Sequence, residues 1–203
     1  VSRAGIMLGL DRSNRINKYS QLEKKLMSSA IGLFYGSSTC YTEMAGEKIC
    51  AHINSRYSDS VSLLNIADQP LSLMADYDLL ILGIPTWDYG ELQEDWESHW
   101  DELEQINFSG KRVAVFGLGD QIGYPEWFQD ALGYLWAKVK NRGAIMVGEW
   151  PNKGYEFDES KALTDDKAHF VGLALDDENQ LELSDDYISR WCEQICTEFG
   201  LSQ

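Results

Sequence analysis

Basic residues are scarce in this chain. Seventeen Lys and Arg stand against 33 Asp and Glu, a formal net charge of -16 at pH 7. Residues 1–29 hold six of the basic and two of the acidic side chains, which leaves the body, residues 30–203, at -20. Such a surface repels nucleic acid and anionic membranes and draws basic protein patches. Metal-ligand patterns are missing too. The cysteines (Cys40, Cys50, Cys192, Cys196) form no Cys-x-x-Cys pair, and His52, His99 and His169 are scattered, which argues against a zinc site. Cys192 and Cys196 stand four apart on an expected helix and read as reduced packing residues, in keeping with a cytoplasmic location. No run of about 18 apolar residues occurs, so no membrane span is expected. The Gly-x-x-x-x-Gly-Lys-Ser/Thr loop of nucleotide triphosphatases is absent, as are repeats and low-complexity tracts.

The first 28 residues stand apart. Ala4–Leu10 is a short apolar patch followed by Arg12, Arg15 and Lys18, the reverse of a secretory signal's order. Met27 stands just before the first expected strand. Residues 1–28 are expected to be a disordered tail outside the fold, and 29–203 a single domain.

From Ala30 on, strand-like and helix-like segments alternate. Ile31–Tyr35, Val61–Ile66, Leu79–Ile84, Val113–Gly117 and Ala144–Val147 read as strands. The continuous apolar runs suit parallel strands buried on both faces. Periodicity predicts helices over Glu43–Arg56, with Met44, Ile49 and Ile53 on one side, and over Asp95–Leu103 and Glu126–Arg142. Gly143 is an ordinary helix stop. The last helix, Ser184–Phe199, turns Ile188, Trp191, Cys192, Ile195 and Phe199 inward. The pattern implies an α/β fold, a parallel sheet with helices on both faces. Residues 150–183 break the repeat and read as an inserted excursion that returns to the sheet edge near Val171–Leu173.

Ligands of such sheets bind beyond the carboxyl ends of the strands, and three loops leave those ends. The first, Gly36–Thr42, carries Ser37, Ser38, Thr39 and Thr42 before a helix. Free backbone N–H groups, the helix dipole and hydroxyl donors suit a phosphate. No Lys or Arg is present there, which suits a phosphate that is held rather than cleaved. An ordinary capped turn would use the same residue types. The second loop runs from Pro85 to Glu94 with Trp87, and the third from Gly117 to Pro125 with Tyr124. A flat conjugated ligand between Trp87 and Tyr124 would partner both rings, although either ring alone would serve to close the core. All three loops together point to a bound aromatic mononucleotide.

The stretches GLFYGSSTCYTE (32–43), LILGIPTWDYGELQEDWE (80–97), GLGDQIGYPEWFQDALG (117–133) and FVGLALDDENQ (170–180) resemble the long-chain bacterial flavodoxins, from Ile31 to about Leu201. The STCYT form is most like the flavodoxin 2 type. The resemblance implies a three-layer, doubly wound, five-stranded parallel sheet with an insertion around the last strand. The order 2-1-3-4-5 is carried over from the family. It also implies a low-potential one-electron carrier, not an enzyme, that binds FMN non-covalently and works through the semiquinone/hydroquinone couple.

By the same resemblance, Ser37, Ser38, Thr39, Tyr41 and Thr42 form the phosphate loop, with Pro85 and Thr86 leading in from the next strand and Thr86 reaching the phosphate side. Trp87 and Tyr124 stack on the ring. Gly117, Leu118, Gly119 and Asp120 give backbone contacts to its pyrimidine edge. The Asp88–Tyr89–Gly90 turn carries a carbonyl that accepts a ring N–H. Two departures stand out: Cys40 where many relatives have Gly, expected to be mostly buried, and Leu118 where many have Thr. Glu178 receives no role. Expected partners are a flavodoxin/ferredoxin NADP reductase-type donor and acceptor redox enzymes with basic docking surfaces, met by an acidic rim of Glu91, Glu94, Asp95, Glu97, Asp120 and Glu126. No nucleic acid or membrane partner is expected, and the chain is expected to be a monomer. The alternative, an FMN-dependent NAD(P)H:quinone-type oxidoreductase, would need a basic cluster for the nicotinamide cofactor, and none is visible. A signalling receiver would need acids after strands one and three, where Tyr35-Gly36-Ser37 and Pro85-Thr86-Trp87 stand instead.

Overall fold

The structure, a computed structural model, describes residues 30–57 and 60–201. The expected N-terminal tail lies outside the described residues. Among the described residues nine strands form: β1 (Ile31–Tyr35), β2 (Val61–Asn65), β3 (Leu79–Trp87), β4 (Glu91–Leu92), β5 (Arg112–Leu118), β6 (Ile145–Val147), β7 (Trp150–Pro151), β8 (His169–Phe170) and β9 (Leu173–Leu175). The α-helices are α1 (Tyr41–Arg56), α2 (Glu94–Ser98), α3 (Asp130–Asn141) and α4 (Leu181–Phe199).

Strands β2-β1-β3-β5-β6 pair in that order, all parallel. The crossover from β1 out to β2 and back to β3 makes β1/β3 the switch point, where helices leave in opposite directions and a crevice opens. Strand β1 is buried along its whole length, as a central parallel strand should be. Adjacent residues of β5 face opposite layers. The Phe116 ring meets Trp191 of α4 edge-on, 6.4 Å between centroids. A Cβ on its neighbour Gly117 would instead lie 3.1 Å from Leu132 of α3. Helices α1 and α4 pack together on the Phe116 side, and α3 covers the other. The five inward residues expected on the last helix are all buried. At roughly 1.5–3 kcal/mol per fully buried large apolar side chain, these layers are the main stabilising term.

The last strand is built in two pieces. Along the outer edge of β5, β6 pairs with residues 112–114 and β9 with residues 116–118. The chain between them leaves the sheet, forms the β7–β8 antiparallel pair and re-enters at Gly172. A Cβ there would lie 2.2 Å from the carbonyl oxygen of Val115, so only glycine fits. The pairing segment after the excursion is Leu173–Leu175, not Val171–Leu173. Aromatic packing holds the excursion down: Phe128 contacts Tyr155, Phe157 and Phe170 at centroid distances of 5.2–5.8 Å. The Tyr155 hydroxyl donates to Ala174 O at 2.7 Å and accepts from Trp150 Nε1 at 2.9 Å. Burial pushes its phenol up and keeps it neutral.

Three helix expectations also need correction. Met44 is 47 % exposed, and Ala45 and Gly46 share the buried face with Ile49 and Ile53. The helix expected over Asp95–Leu103 is only Glu94–Ser98, followed by a turn and a 3₁₀ turn at Glu102–Gln105. The helix expected over Glu126–Arg142 begins at Asp130. Gln129 just before it is left-handed (φ 63°), and its buried amide donates to Leu175 O at 2.9 Å and Gly117 O at 3.3 Å. Those bonds fix the ends of β5 and β9 and leave residues 125–129 as turns.

Candidate functional site

Three loops converge beyond the carboxyl ends of β1, β3 and β5. The first starts at Gly36, whose N–H donates to Gly83 O at 3.2 Å. A Cβ on Gly36 would lie 2.2 Å from Gln93 Oε1 and 2.7 Å from Trp96 Cδ1, so the loop must open with glycine. The buried Gln93 amide organises the hydroxyl-rich turn. It donates to Ser38 Oγ at 3.1 Å and Asp95 Oδ2 at 2.6 Å, and its Oε1 accepts from Trp96 N–H at 3.3 Å. Ser38 in turn donates to Glu94 at 3.4 Å. Ser37 Oγ is buried with no hydrogen-bond partner among the described residues. Thr42 is buried, and Thr39 and Tyr41 are exposed.

Cys40 precedes α1 with φ 68°, and no side chain caps the helix there. The expectation of a buried thiol is overturned: Cys40 is exposed. A non-glycine residue in this left-handed conformation costs about 1–2 kcal/mol. The site thus holds an uncapped helix N-terminus and a buried hydroxyl side by side, a donor set suited to an anion.

The second loop leaves β3. Thr86 Oγ1 accepts from Ala131 N–H at 3.2 Å and ties the strand to the start of α3. Trp87 pairs with Glu91 in a tight antiparallel turn, closed by Gly90 N–H to Trp87 O at 3.1 Å. Asp88 (φ 40°) and Gly90 (φ 89°) both have positive φ.

The third loop is held by its own carboxylate. Asp120 Oδ1 accepts from Gly123 N–H at 2.7 Å, Asn179 Nδ2 at 2.8 Å and Ile122 N–H at 3.0 Å. Partial burial opposes ionisation, but these three donors outweigh it and hold the carboxyl below its ordinary value. Behind the loop, residues 156–161 supply backbone donors. Glu156 N–H reaches Gln121 Oε1 at 2.6 Å, and the N–H groups of Asp158 and Glu159 reach Pro125 O.

Between the loops lies a cleft of about 270 Å³. Of the residues singled out from sequence, Thr39, Tyr41, Pro85, Thr86, Trp87, Asp88, Leu118, Gly119, Asp120 and Tyr124 line it. Trp87 and Tyr124 stand at its mouth, 36 % and 37 % exposed. Six others lie around it: Ser37, Ser38 and Thr42 in the first loop, Gly117 beneath the third, and Tyr89 and Gly90 in the turn beside Trp87. Tyr89 contacts Trp127 and Tyr124 edge-on at 5.1 and 6.3 Å, and Gly90 borders the neighbouring groove. Four lining residues were missed: Trp127, Phe128, Asp177 and Glu178. Trp127 and Phe128 were absorbed into a helix that starts later, and the two acids arrive only because β9 ends beside the loop. Every charged residue lining the cleft is acidic.

The residues present suit a flat phosphate ester. A phosphate would satisfy Ser37 Oγ and the bare end of α1, and the exposed rings would cover an aromatic system.

Known proteins resemble this chain in sequence and fold. The family profile described as Flavodoxin matches residues 33–191. Flavodoxin 2 of Escherichia coli K12 is 57% identical over 170 residues, covering 84% of this chain and 96% of that protein. A flavodoxin of Nostoc is 49% identical over 175 residues, covering 86% and 100%. Among solved structures, Fusobacterium nucleatum flavodoxin bound to flavin mononucleotide superposes with a TM-score of 0.77 at 31% identity, covering 83% and 97% of the two chains. Oxidised Flavodoxin 2 of Bacillus cereus gives 0.64 at 26%, covering 84% and 100%.

Proposed function

The chain belongs to the flavodoxin family, and from that premise we propose that it holds FMN non-covalently in the cleft beyond β1, β3 and β5 and passes single electrons between redox proteins. The observation that carries this reading is the pairing of an orphaned Ser37 hydroxyl and an uncapped helix end with two exposed rings at one cleft. FMN supplies two successive one-electron couples, and the protein sets their potentials.

The chain's own residues divide the work. Ser37, Thr39 and the first N–H groups of α1 take the phosphate without a cationic side chain. Thr86, anchored on Ala131, keeps its hydroxyl proton free to join them. Trp87 and Tyr124 cover the two ring faces and exclude water. Backbone groups of Leu118, Gly119 and Asp120 meet the pyrimidine edge. The carbonyls of the Asp88–Gly90 turn offer an acceptor to a ring N–H, and glycine at 90 lets the turn adjust at low steric cost. Asp88, Asp120, Asp177 and Glu178 place only negative charge around the cleft. With FMN bound, these four acids would disfavour added negative charge on the ring and so lower its second one-electron potential.

A donor flavoprotein reductase and its acceptors would present basic faces to the rim of Glu91, Glu94, Glu97 and Glu126, all exposed. No helix among the described residues is long and apolar enough to cross a membrane. Among the lining residues there is no Lys or Arg for a nicotinamide cofactor's phosphates, so an NAD(P)H oxidoreductase fits less well.

The test is stepwise anaerobic reduction of the FMN-loaded protein, followed by visible spectroscopy. Two resolved one-electron steps are expected. Bleaching in one two-electron step would favour the oxidoreductase, and failure to take up FMN would end the proposal.

A further inference from the structure

Asp130 is the first residue of α3 and is 2 % exposed. A carboxyl is an expensive group to bury; here the first turn of α3 favours a negative charge and a backbone N–H partners one of its oxygens. Its Oδ1 accepts from Lys161 N–H at 2.7 Å. Its Oδ2 faces the turn beside Trp87. A Cβ on Gly90 would lie 3.0 Å from Oδ2, 3.1 Å from Asp130 Cβ and 3.2 Å from Trp127 Cδ1. The next residue, Ala131, donates its N–H to Thr86 Oγ1 at 3.2 Å. Thr86 precedes Trp87 and Gly90 closes the turn, so both ends of the segment rest on the first two residues of α3. Burial pushes the carboxyl up, while the Lys161 N–H and ammonium pull it down and Glu159 pushes it up again.

We propose that Asp130 is a positioning residue for electron transfer. Its carboxyl seats the Trp87–Gly90 turn and, through that turn, sets the spacing of the two one-electron potentials. The proposal rests on the FMN reading above. Apart from the pairing of Trp87 with Glu91 and the edge-on contacts of the Tyr89 ring, the turn has few restraints of its own. Two of its residues have positive φ, Tyr89 is 68 % exposed, and one backbone hydrogen bond closes it. A rigid polar floor is what keeps such a turn in one arrangement.

Two variants test this. Asp130→Asn keeps the shape and, through Oδ1, the bond from Lys161. Asp130→Ala removes the floor. In the isotope-labelled apoprotein, the Gly90 amide resonance should move in both variants while amides of β1 stay in place. In the FMN-loaded protein, the gap between the two potentials should narrow in both. FMN binding should weaken about tenfold in Asp130→Ala, the scale of one well-placed polar contact. If Asp130→Ala fails to fold, Asp130→Asn carries the test. An unmoved Gly90 amide with an unchanged gap, even with a lower melting temperature, would make Asp130 a packing residue and overturn the proposal. Failure of the parent protein to bind FMN would sink the cofactor reading instead, and the apoprotein resonance would still decide whether Asp130 seats the turn.

Discussion

Asp176 Oδ2 accepts two hydrogen bonds from Gln121, one from its backbone N–H at 3.1 Å and one from its side-chain amide at 2.7 Å. Both residues are buried, at 1 % and 2 % exposure. The link joins the end of β9 to the loop that carries Tyr124. Asp176→Ala would strand both Gln121 donors, at a cost of about 2–4 kcal/mol. Urea denaturation of the apoprotein measures the loss, and FMN titration should show weaker binding as the Tyr124 loop loosens. A change within about 0.5 kcal/mol would mean the bonds are dispensable.

Cys40 occupies a left-handed position that glycine adopts freely. Cys40→Gly should stabilise the apoprotein by about 1 kcal/mol, because the strain relieved exceeds the entropy glycine adds to the unfolded chain. Alkylation followed by mass spectrometry offers a second check. Cys40 should react first, Cys192 and Cys196 last, and FMN should slow the reaction at Cys40. Equal rates at Cys40 and Cys192 would contradict the exposed geometry.

Acid should open the third loop. The Asp120 carboxyl is depressed in the folded protein from its ordinary 3.8. A depressed carboxyl contributes stability that is present above the unfolded value and is lost as pH falls through the folded one. FMN affinity should therefore hold down to about pH 4 and fall below it. Asp120→Asn should bind FMN more weakly at neutral pH and lose that acid step. Fluorescence titration across pH 3–6 reads both, and identical pH curves would show that Asp120 does not hold the loop.

Trp87→Ala should weaken FMN by ~1–3 kcal/mol, the range for one stacked aromatic. It should also raise the lower of the two potentials, since water gains access to the ring face. If neither affinity nor potential moves, Trp87 does not stack.

Much of the fold was legible in the chain because burial imposes a pattern. Ile31–Tyr35, the Leu79–Ile84 run and Val113–Gly117 are apolar without interruption, as strands between two helix layers must be. The place of Trp87 and Tyr124 beside one cleft was legible because both sit in loops that leave the same end of the sheet. The misreadings also have physical causes. Trp127 and Phe128 fit a helical repeat, but both line the cleft, and Phe128 also anchors the excursion. The left-handed Gln129 that separates them from α3 depends on carbonyls of Gly117 and Leu175, the latter 46 residues away. Asp177 and Glu178 reach the cleft through the second half of a split strand, a register that no local pattern announces.

The uniformly acidic cleft mouth has a consequence for a crowded population of these molecules. Each copy carries the same charge on the same face, above a body at -20. Two reduced copies that meet mouth to mouth repel most strongly where their cofactors would come closest. Under the proposed function, exchange between identical carriers would be slower than exchange with a basic protein, and an electron would stay with the molecule that received it until a differently charged surface arrives.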